Sequence, residues 1–341
     1  MSSEERKQLA LRNTEEVIEE SELEQIIEEK DNPRAYVGYE TSGPVHLGHW
    51  ISVRKMLDLQ EAGFQPVILW ADLHTSLNHK GEDDWIHSMI DYWQATFEAL
   101  GLDAEFVRGR EFQEDKQYFH DLLNLSKETT LNRGKRSMAE VASGEDTYIS
   151  HVVYPLMQAL DIVHLDLDVA LGGIEQRRIH MMARENLPKI GYDKPTCLHW
   201  PLLSSLSGEG GKMSSSDKTT MFPLHSDPED IKEVLNNAYC PAEQVEDNPI
   251  IEICQYFIFG ADRTLEIERP EKYGGNIDYE TLEGLEEDFE SGELHPQDLK
   301  NAVAKQVVEV FEPVRQRFKE EPELLEPLEE LDHEKPDYIG E

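Results

Sequence analysis

Residues 35–74 constrain the fold more than any other stretch of this chain. A strand-like run, AYVGYE (35–40), leads through a turn into ISVRKMLDLQEAG (51–63), which reads as an amphipathic helix. A second strand-like run, PVILWADLH (66–74), follows. Strand, helix and strand in so short a span make a βαβ unit, and that unit commits the chain to a parallel sheet. Between the first strand and the helix, GPVHLGHW (43–50) places His46 and His49 three apart. A helix N-terminus offers free N–H groups and the positive end of a dipole, so two imidazoles there suit a phosphate site. A satisfied, half-buried histidine pair is the plainer alternative.

At 341 residues there is room for two domains, or for one large α/β domain with an appendage. No run of about 18 apolar residues points to a membrane span. The start, MSSEERKQLALRN, lacks an apolar signal core, so a cytosolic protein is expected. Cys197, Cys240 and Cys254 show no C-x-x-C spacing, and reduced thiols are expected. Asp and Glu number 71 against 32 Lys and Arg, a net charge of −39. With 38% apolar residues arranged in periodic segments, the chain is not a disordered acidic tract. A folded domain that repels itself so strongly suits a high-salt cytoplasm, where the Debye length falls to about 3 Å at 1 M.

The first 30 residues read as helical, with SELE (21–24) as a capping box in which Ser21 caps and Glu24 reaches back. DNP (31–33) stops that helix. From about 79 to 139 the pattern changes, and Ile86, Ile90, Trp93 and Phe97 form a stripe at helical spacing. This segment reads as a helical insertion between the halves of the sheet, serving core packing or a dimer surface. Further on, HVVYPLMQALDIVHL (151–165) is a helix before the strand LDVALGG (167–173), and IEQRRIHMMAREN is the helix after it. PLLSSLSGEGGKMSSSDK (201–218) is a Gly/Ser-rich loop. Beyond it the composition turns helical and more acidic, which places a domain boundary near 220. The last stretch, 330–341, lacks apolar periodicity and is expected to fray. No internal repeat is present.

HLGH (46–49) and GKMSSS (211–216) are each weak signals alone. Placed at the two ends of a βαβ-patterned region, they fit one task, binding a nucleoside triphosphate from two sides. Gly48 lets a flat base lie against backbone. The histidines donate to phosphate oxygens, and Lys212 neutralises a departing pyrophosphate. No serine, cysteine or aspartate nucleophile is needed if a substrate carboxylate attacks the α-phosphate. Catalysis is then positioning plus charge stabilisation.

With these two signatures the chain resembles the class I aminoacyl-tRNA synthetases. More closely, it resembles the archaeal/eukaryotic-type tyrosyl-tRNA synthetases, over about residues 10–320. AYVGYETSGPVHLGH, ADLH, YPLMQALDI, GGIEQRRIHMMARE, GEGGKMSSS, EKYGG and ELHPQDLKNAV occur in the family's order. The resemblance implies an α/β fold: a Rossmann-like parallel-sheet catalytic domain (31–220) with a helical, dimerising insertion (about 79–139). An N-terminal helical segment (1–30) precedes it, and an α-helical C-terminal anticodon-binding domain (221–330) and an acidic tail (331–341) follow. It also implies a two-step reaction. Tyrosine and ATP give tyrosyl-adenylate and pyrophosphate, and a ribose hydroxyl at the 3′ end of tRNA(Tyr) then takes the tyrosyl group. Mg2+ enters with ATP and not in a protein-built cage. The implied partners are L-tyrosine, ATP, tRNA(Tyr) and a second copy of the chain, with neither DNA nor membrane.

Tyr36, Gly38 and Glu40 share one face of a strand, with Ala35, Val37 and Tyr39 on the other. Tyr154, Gln158 and Asp161, spaced i, i+4, i+7, share one helix face, which an ordinary helix would turn outward. In the resembled family this face meets the substrate. Asp161 and Tyr36 match residues that bind the phenolic hydroxyl; Tyr154, Gln158 and Gln176 match those that hold the α-amino group. His46, His49 and Lys212 are the implied catalytic residues. Gly48, Gly173, Glu175, Lys212 and Ser215 are the implied ATP contacts. His74, ending the second strand, is a further candidate for the pocket wall, and Leu69 is apolar lining. LNRGKRSM (131–138) and EQRRIH (175–180) are islands of positive charge. Arg177 matches a position facing the first base pair of the acceptor stem. Tyr273 could stack an anticodon base whose edge His295 and Asp298 read, although a helix cap by Asp298 is the plain alternative. Three rivals remain. The tryptophanyl enzyme shares the fold, but Asp161 with Tyr36 favours a phenol over an indole. A non-tRNA nucleotidylyltransferase would not need the EKYGG and LHPQD stretches. Against a catalytically dead RNA-binding relative stand the intact His46, His49 and Lys212.

Overall fold

A six-stranded sheet organises the molecule, and its strand order decides where a ligand can sit. The computed structural model describes residues 1–138, 148–208 and 221–330. The first part of the chain runs α1 (Ser3–Leu11), β1 (Glu16–Ile18), α2 (Glu20–Glu29), β2 (Arg34–Tyr39), α3 (Leu47–Glu61) and β3 (Gln65–Trp70). Next come α4 (Asp72–Leu77), α5 (Asp83–Ala99), β4 (Glu105–Arg108), α6 (Arg110–Gln113), α7 (Lys116–Glu128) and α8 (Leu131–Ser137). The catalytic half closes with α9 (Ser150–His164), β5 (Val169–Gly173), α10 (Arg177–Asn186) and β6 (Thr196–Trp200). The strands lie in the order β1-β6-β5-β2-β3-β4, parallel from β6 to β4, with β1 antiparallel on the edge.

The alternation along β2 holds. Ala35, Val37 and Tyr39 join one core with Ile68 and Trp70, while Tyr36 joins the opposite core with Val67 and Leu69. Both faces of the sheet are therefore covered, which is why its strands read as near-continuous apolar runs. From β2 the chain winds outward to β4, and from β5 it winds the other way to β6. The order reverses between β2 and β5, and a crevice opens at the carboxyl ends of such a pair.

Four expectations need correction. The first 30 residues are not all helical, because β1 pairs Glu16 with His199 on the sheet edge. Ser21 does not cap α2, which starts at Glu20 behind Glu19 with no side-chain cap; the capping box lies instead at Ser2 and Glu5 of α1. The segment 79–139 is not purely helical. It contains β4, a member of the sheet, and α5 is the helix that carries the chain there. The α5 stripe is internal: Ile86, Ile90, Trp93 and Phe97 are no more than 2% exposed, so it forms core and no dimer surface.

Beyond residue 220 come α11 (Pro228–Asn237), α12 (Pro249–Ile253), α13 (Leu282–Glu290), α14 (Pro296–Val310), α15 (Glu312–Glu320) and α16 (Glu326–Glu330). A small antiparallel ribbon, β7 (Leu265–Ile267) with β8 (Ile277–Tyr279), interrupts these helices. Trp50 on α3 packs against Phe257 and Phe311, with ring centroids 6.3 and 5.4 Å away, so one apolar core runs across this region and the sheet. On the same helix the fully buried Lys55 ammonium donates to the carbonyls of Ala10 and Arg12 and to the Thr14 hydroxyl. Three acceptors for its three protons tie the end of α1 beneath α3.

Candidate active site

The crevice predicted by the strand order is a cavity of about 350 Å³, a size suited to a small-molecule ligand. Its walls are the ends of β2 and β5, the first turn of α3, and one face of α9.

His46 and His49 build the rim reciprocally. His46 is the N-cap of α3, and its Nδ1 accepts the Gly48 N–H at 3.1 Å; the Nδ1 of His49 accepts the His46 N–H at 3.1 Å. Each Nδ1 is thereby an acceptor, so the ring proton of each neutral imidazole resides on Nε2. Burial pulls His46 down to about 4, and burial with the neighbouring His46 pulls His49 well below its ordinary value. Both rings are neutral at pH 7. They offer hydrogen-bond donors and the α3 dipole but no formal charge. Lys212 and Ser215 lie outside the described residues.

Deeper in the cleft, Asp161 is completely buried. Its Oδ1 accepts from Gln113 Nε2 and from the Tyr118 hydroxyl, both at 2.8 Å. Its Oδ2 makes no hydrogen bond among the described residues, and His74 Nε2 stands 3.8 Å away. Burial pushes the carboxyl up to about 7; the Gln113 and Tyr118 bonds pull it down, and the Asp72 charge raises it. Tyr36 is pushed well up by burial and then by Asp161. Gln158 donates to Gln176 at 3.2 Å, and its own Oε1 is buried with no hydrogen bond among the described residues. Tyr154 lies beside them, meeting the His74 ring edge-on at 4.5 Å. The structure thus brings Tyr36, Tyr154, Gln158, Asp161 and Gln176 onto one cavity.

His74 does belong to the wall, as does Leu69, but His74 sits on α4 and not at a strand end. Burial pulls it down to about 4, so it too is neutral. Gly48, Gly173 and Glu175 line the outer part of the cleft. Gly172, near the end of β5, leaves room for the turn into Ile174–Gln176, since a Cβ there would come 2.7 Å from Gln176 Cβ. Gln113 and Tyr118 escaped the sequence reading, since no spacing ties 113 or 118 to 161. The available signal was general: a buried carboxylate needs donors.

The remaining candidates lie outside the cleft. Arg177 opens α10, and its Nε donates to both Glu16 oxygens at 2.7 and 2.9 Å. His295 is the N-cap of α14, its Nδ1 accepting the Gln297 N–H at 3.1 Å. The cap is therefore His295, and Asp298 occupies the first helical turn. The Asp298 carboxylate makes no hydrogen bond or ion pair among the described residues. Tyr273 ends the single turn Glu271–Tyr273, with its side chain outside the described set.

Comparison with known proteins agrees with this geometry. The family model for class I tRNA synthetases (W and Y) matches residues 28–312. The tyrosine–tRNA ligase of Methanopyrus kandleri is 53% identical over 319 residues, covering 92% of this chain and 98% of that one. The crystal structure of tyrosyl-tRNA synthetase from Archaeoglobus fulgidus, complexed with L-tyrosine, has 50% identity and a TM-score of 0.89, covering 93% and 99% of the two chains. That of the Pyrococcus horikoshii enzyme, also complexed with L-tyrosine, has 33% identity and a TM-score of 0.90, covering 97% and 100%. With both its length and its fold matched, this chain belongs to the tyrosyl-tRNA synthetases of class I.

Proposed function

We propose that the chain joins tyrosine to the 3′ end of tRNA(Tyr) in two steps at this cleft. In the first, a carboxylate oxygen of tyrosine attacks the α-phosphorus of ATP, and the bond to the β-phosphate oxygen breaks as pyrophosphate leaves. In the second, a ribose hydroxyl of the terminal adenosine attacks the tyrosyl carbonyl and AMP leaves. One observation carries the reading: the buried Asp161, beside Tyr36 on the same cavity, has one oxygen held by Gln113 and Tyr118 and the other without a hydrogen bond among the described residues. A phenolic hydroxyl both donates and accepts, so it can serve Asp161 and Tyr36 together. An indole N–H only donates.

Tyr154, Gln158 and Gln176 take the α-amino group, and Gly48, Gly173 and Glu175 border the nucleotide. His46 and His49 donate from Nε2 to its phosphates, adding charge stabilisation through fixed dipoles. Lys212 and Ser215 belong to the same reading as its cation and loop contact. Mg2+ arrives as the counter-ion of ATP. Arg177 faces the acceptor stem, and Tyr273, His295 and Asp298 read the first anticodon base. A second copy of the chain covers the apolar residues left exposed on α7 and α8: Phe119 at 60%, Leu123 at 50% and Leu131 at 65%. A cytoplasm of high salt accommodates the charge of −39, and no helix among the described residues is long and apolar enough to cross a membrane.

Charging assays on wild type and Asp298→Ala test the tRNA-reading part of this scheme. Asp298→Ala should lose about 10–100-fold in aminoacylation, the cost of one base contact, while tyrosine-dependent ATP–pyrophosphate exchange is spared. The Asp298 carboxylate, an acceptor, suits the N1–H and N2–H2 donors of a guanine at the first anticodon position, so replacing that guanine should hurt wild type far more than the variant. Equal charging of both tRNAs by both proteins contradicts the anticodon assignment.

A further inference from the structure

The turn that carries His46 is held by residues far away in sequence. On its near side, Trp93 Nε1 of α5 donates to the Gly43 carbonyl at 2.8 Å, and the same indole meets the His49 ring edge-on at 4.7 Å. On its far side, Leu224 N–H donates to the Val45 carbonyl at 2.9 Å, and His46 pairs with Pro223 in an isolated β-bridge. The Val45 N–H goes to a third place, the hydroxyl of Tyr92, at 3.1 Å. Tyr92 and Val45 are both fully buried, so that hydroxyl must spend its own proton inside the protein.

Its other partner is His225 Nδ1, at 3.1 Å. Burial pulls His225 down to about 4, so the ring is neutral and Nδ1 can accept. The hydrogen-bond direction is then Val45 N–H to Tyr92 hydroxyl to His225 Nδ1. Phe318 of α15 covers the pair, stacked on Tyr92 at 5.2 Å and edge-on to His225 at 5.6 Å. One phenol thus joins the peptide preceding His46 to the segment 223–225, which also grips the Val45 carbonyl. Filling space alone would not require a hydroxyl here. A phenylalanine would pack against Phe318 equally well but leave the Val45 N–H without a partner.

We propose that Tyr92 and His225 are positioning residues for adenylate formation, fixing the Val45–His46 peptide so that the His46 and His49 Nε2 protons meet the phosphates of ATP. This rests on the reading of the HLGH turn as the phosphate site. Neither side chain lines the cleft, so both act through the turn. Misplacing reacting groups by about 1 Å can cost on the order of 10² in rate, which sets the scale of the effect.

The test measures single-turnover tyrosyl-adenylate formation and tyrosine dissociation constants for wild type, Tyr92→Phe, His225→Leu and His225→Asn. Each protein is checked for an intact thermal unfolding transition. Tyr92→Phe and His225→Leu should form adenylate about 10–100-fold more slowly at saturating tyrosine and ATP, with tyrosine affinity within about twofold of wild type. His225→Asn, which keeps an acceptor where Nδ1 stood, should recover most of the rate. A Tyr92→Phe protein that fails to fold leaves the contrast between His225→Leu and His225→Asn to decide. Wild-type rates in both disruptive variants, equal rates in the two His225 variants, or a matching loss of tyrosine affinity overturns the proposal. If wild type itself forms no adenylate from tyrosine and ATP, the underlying reading fails instead.

Discussion

Asp161 shows how one residue can combine burial with recognition. Its carboxyl is fully buried and pushed up to about 7, with two donors on Oδ1 and none on Oδ2. If a phenol donates to Oδ2, tyrosine binds the ionised carboxylate, and protonation competes with binding. The dissociation constant for tyrosine should then rise as pH falls from 8 to 6. Nearby His74, held down near 4, stays neutral throughout that range. Asp161→Asn removes the charged acceptor, so it should weaken tyrosine binding by about 10–100-fold, as expected for a buried hydrogen bond to a charged group. Its affinity should also be independent of pH over the same range. Equilibrium titrations at several pH values read both effects, and parallel pH profiles for the two proteins would falsify the assignment.

At the scale of elements, what was legible followed from local pattern. The βαβ unit, α9 and α10 were readable because their apolar spacing repeats within one segment, and the shared face of Tyr154, Gln158 and Asp161 is a property of one helix. Elements fixed by distant partners were not. β1 and β4 are three and four residues long and only partly buried, and each is a strand because β6 or β3 supplies its ladder. The S-x-x-E pattern at Ser21 was misleading because Glu19, in a left-handed conformation at φ 57°, starts the helix two residues earlier. The α5 stripe showed that a buried face existed but not what it faced. In the same way, Gln113 and Tyr118 reach Asp161 only through the fold, and so does the His225–Tyr92–Val45 link. The HLGH turn was the exception among the site's features, since its cap, its donors and its helix all lie within a few residues.

For the whole molecule, the charge of −39 is the dominant long-range term. Screening should relieve it, so unfolding midpoints should climb across a molar range of KCl, and greatest stability near 0.1 M would contradict a high-salt origin. Acid acts in a different way. Burial lowers the pKa of His46, His49, His74, His180, His199 and His225. Between about pH 6.5 and 4 the unfolded chain binds protons that the folded chain refuses. Stability should therefore fall as pH drops from 7 to 5, by at most about 1.4 kcal/mol per pH unit for each group. Asp161 runs the other way, because its raised pKa favours the folded state below about pH 4 and that advantage is gone above 7. Asp72 and Glu286, whose carboxyls burial also raises, act in the same sense, so three raised carboxyls oppose six lowered imidazoles among the described residues. Midpoints recorded at fixed molar KCl should show the fall, and a midpoint constant from pH 7 to 5 would contradict it.

The most direct test of the account is ATP–pyrophosphate exchange in molar KCl, driven by each standard amino acid in turn. Exchange should depend on tyrosine, be weak with phenylalanine, which lacks the hydroxyl, and be absent with tryptophan. Equal exchange with tryptophan, or none with tyrosine, would contradict the assignment of this cleft.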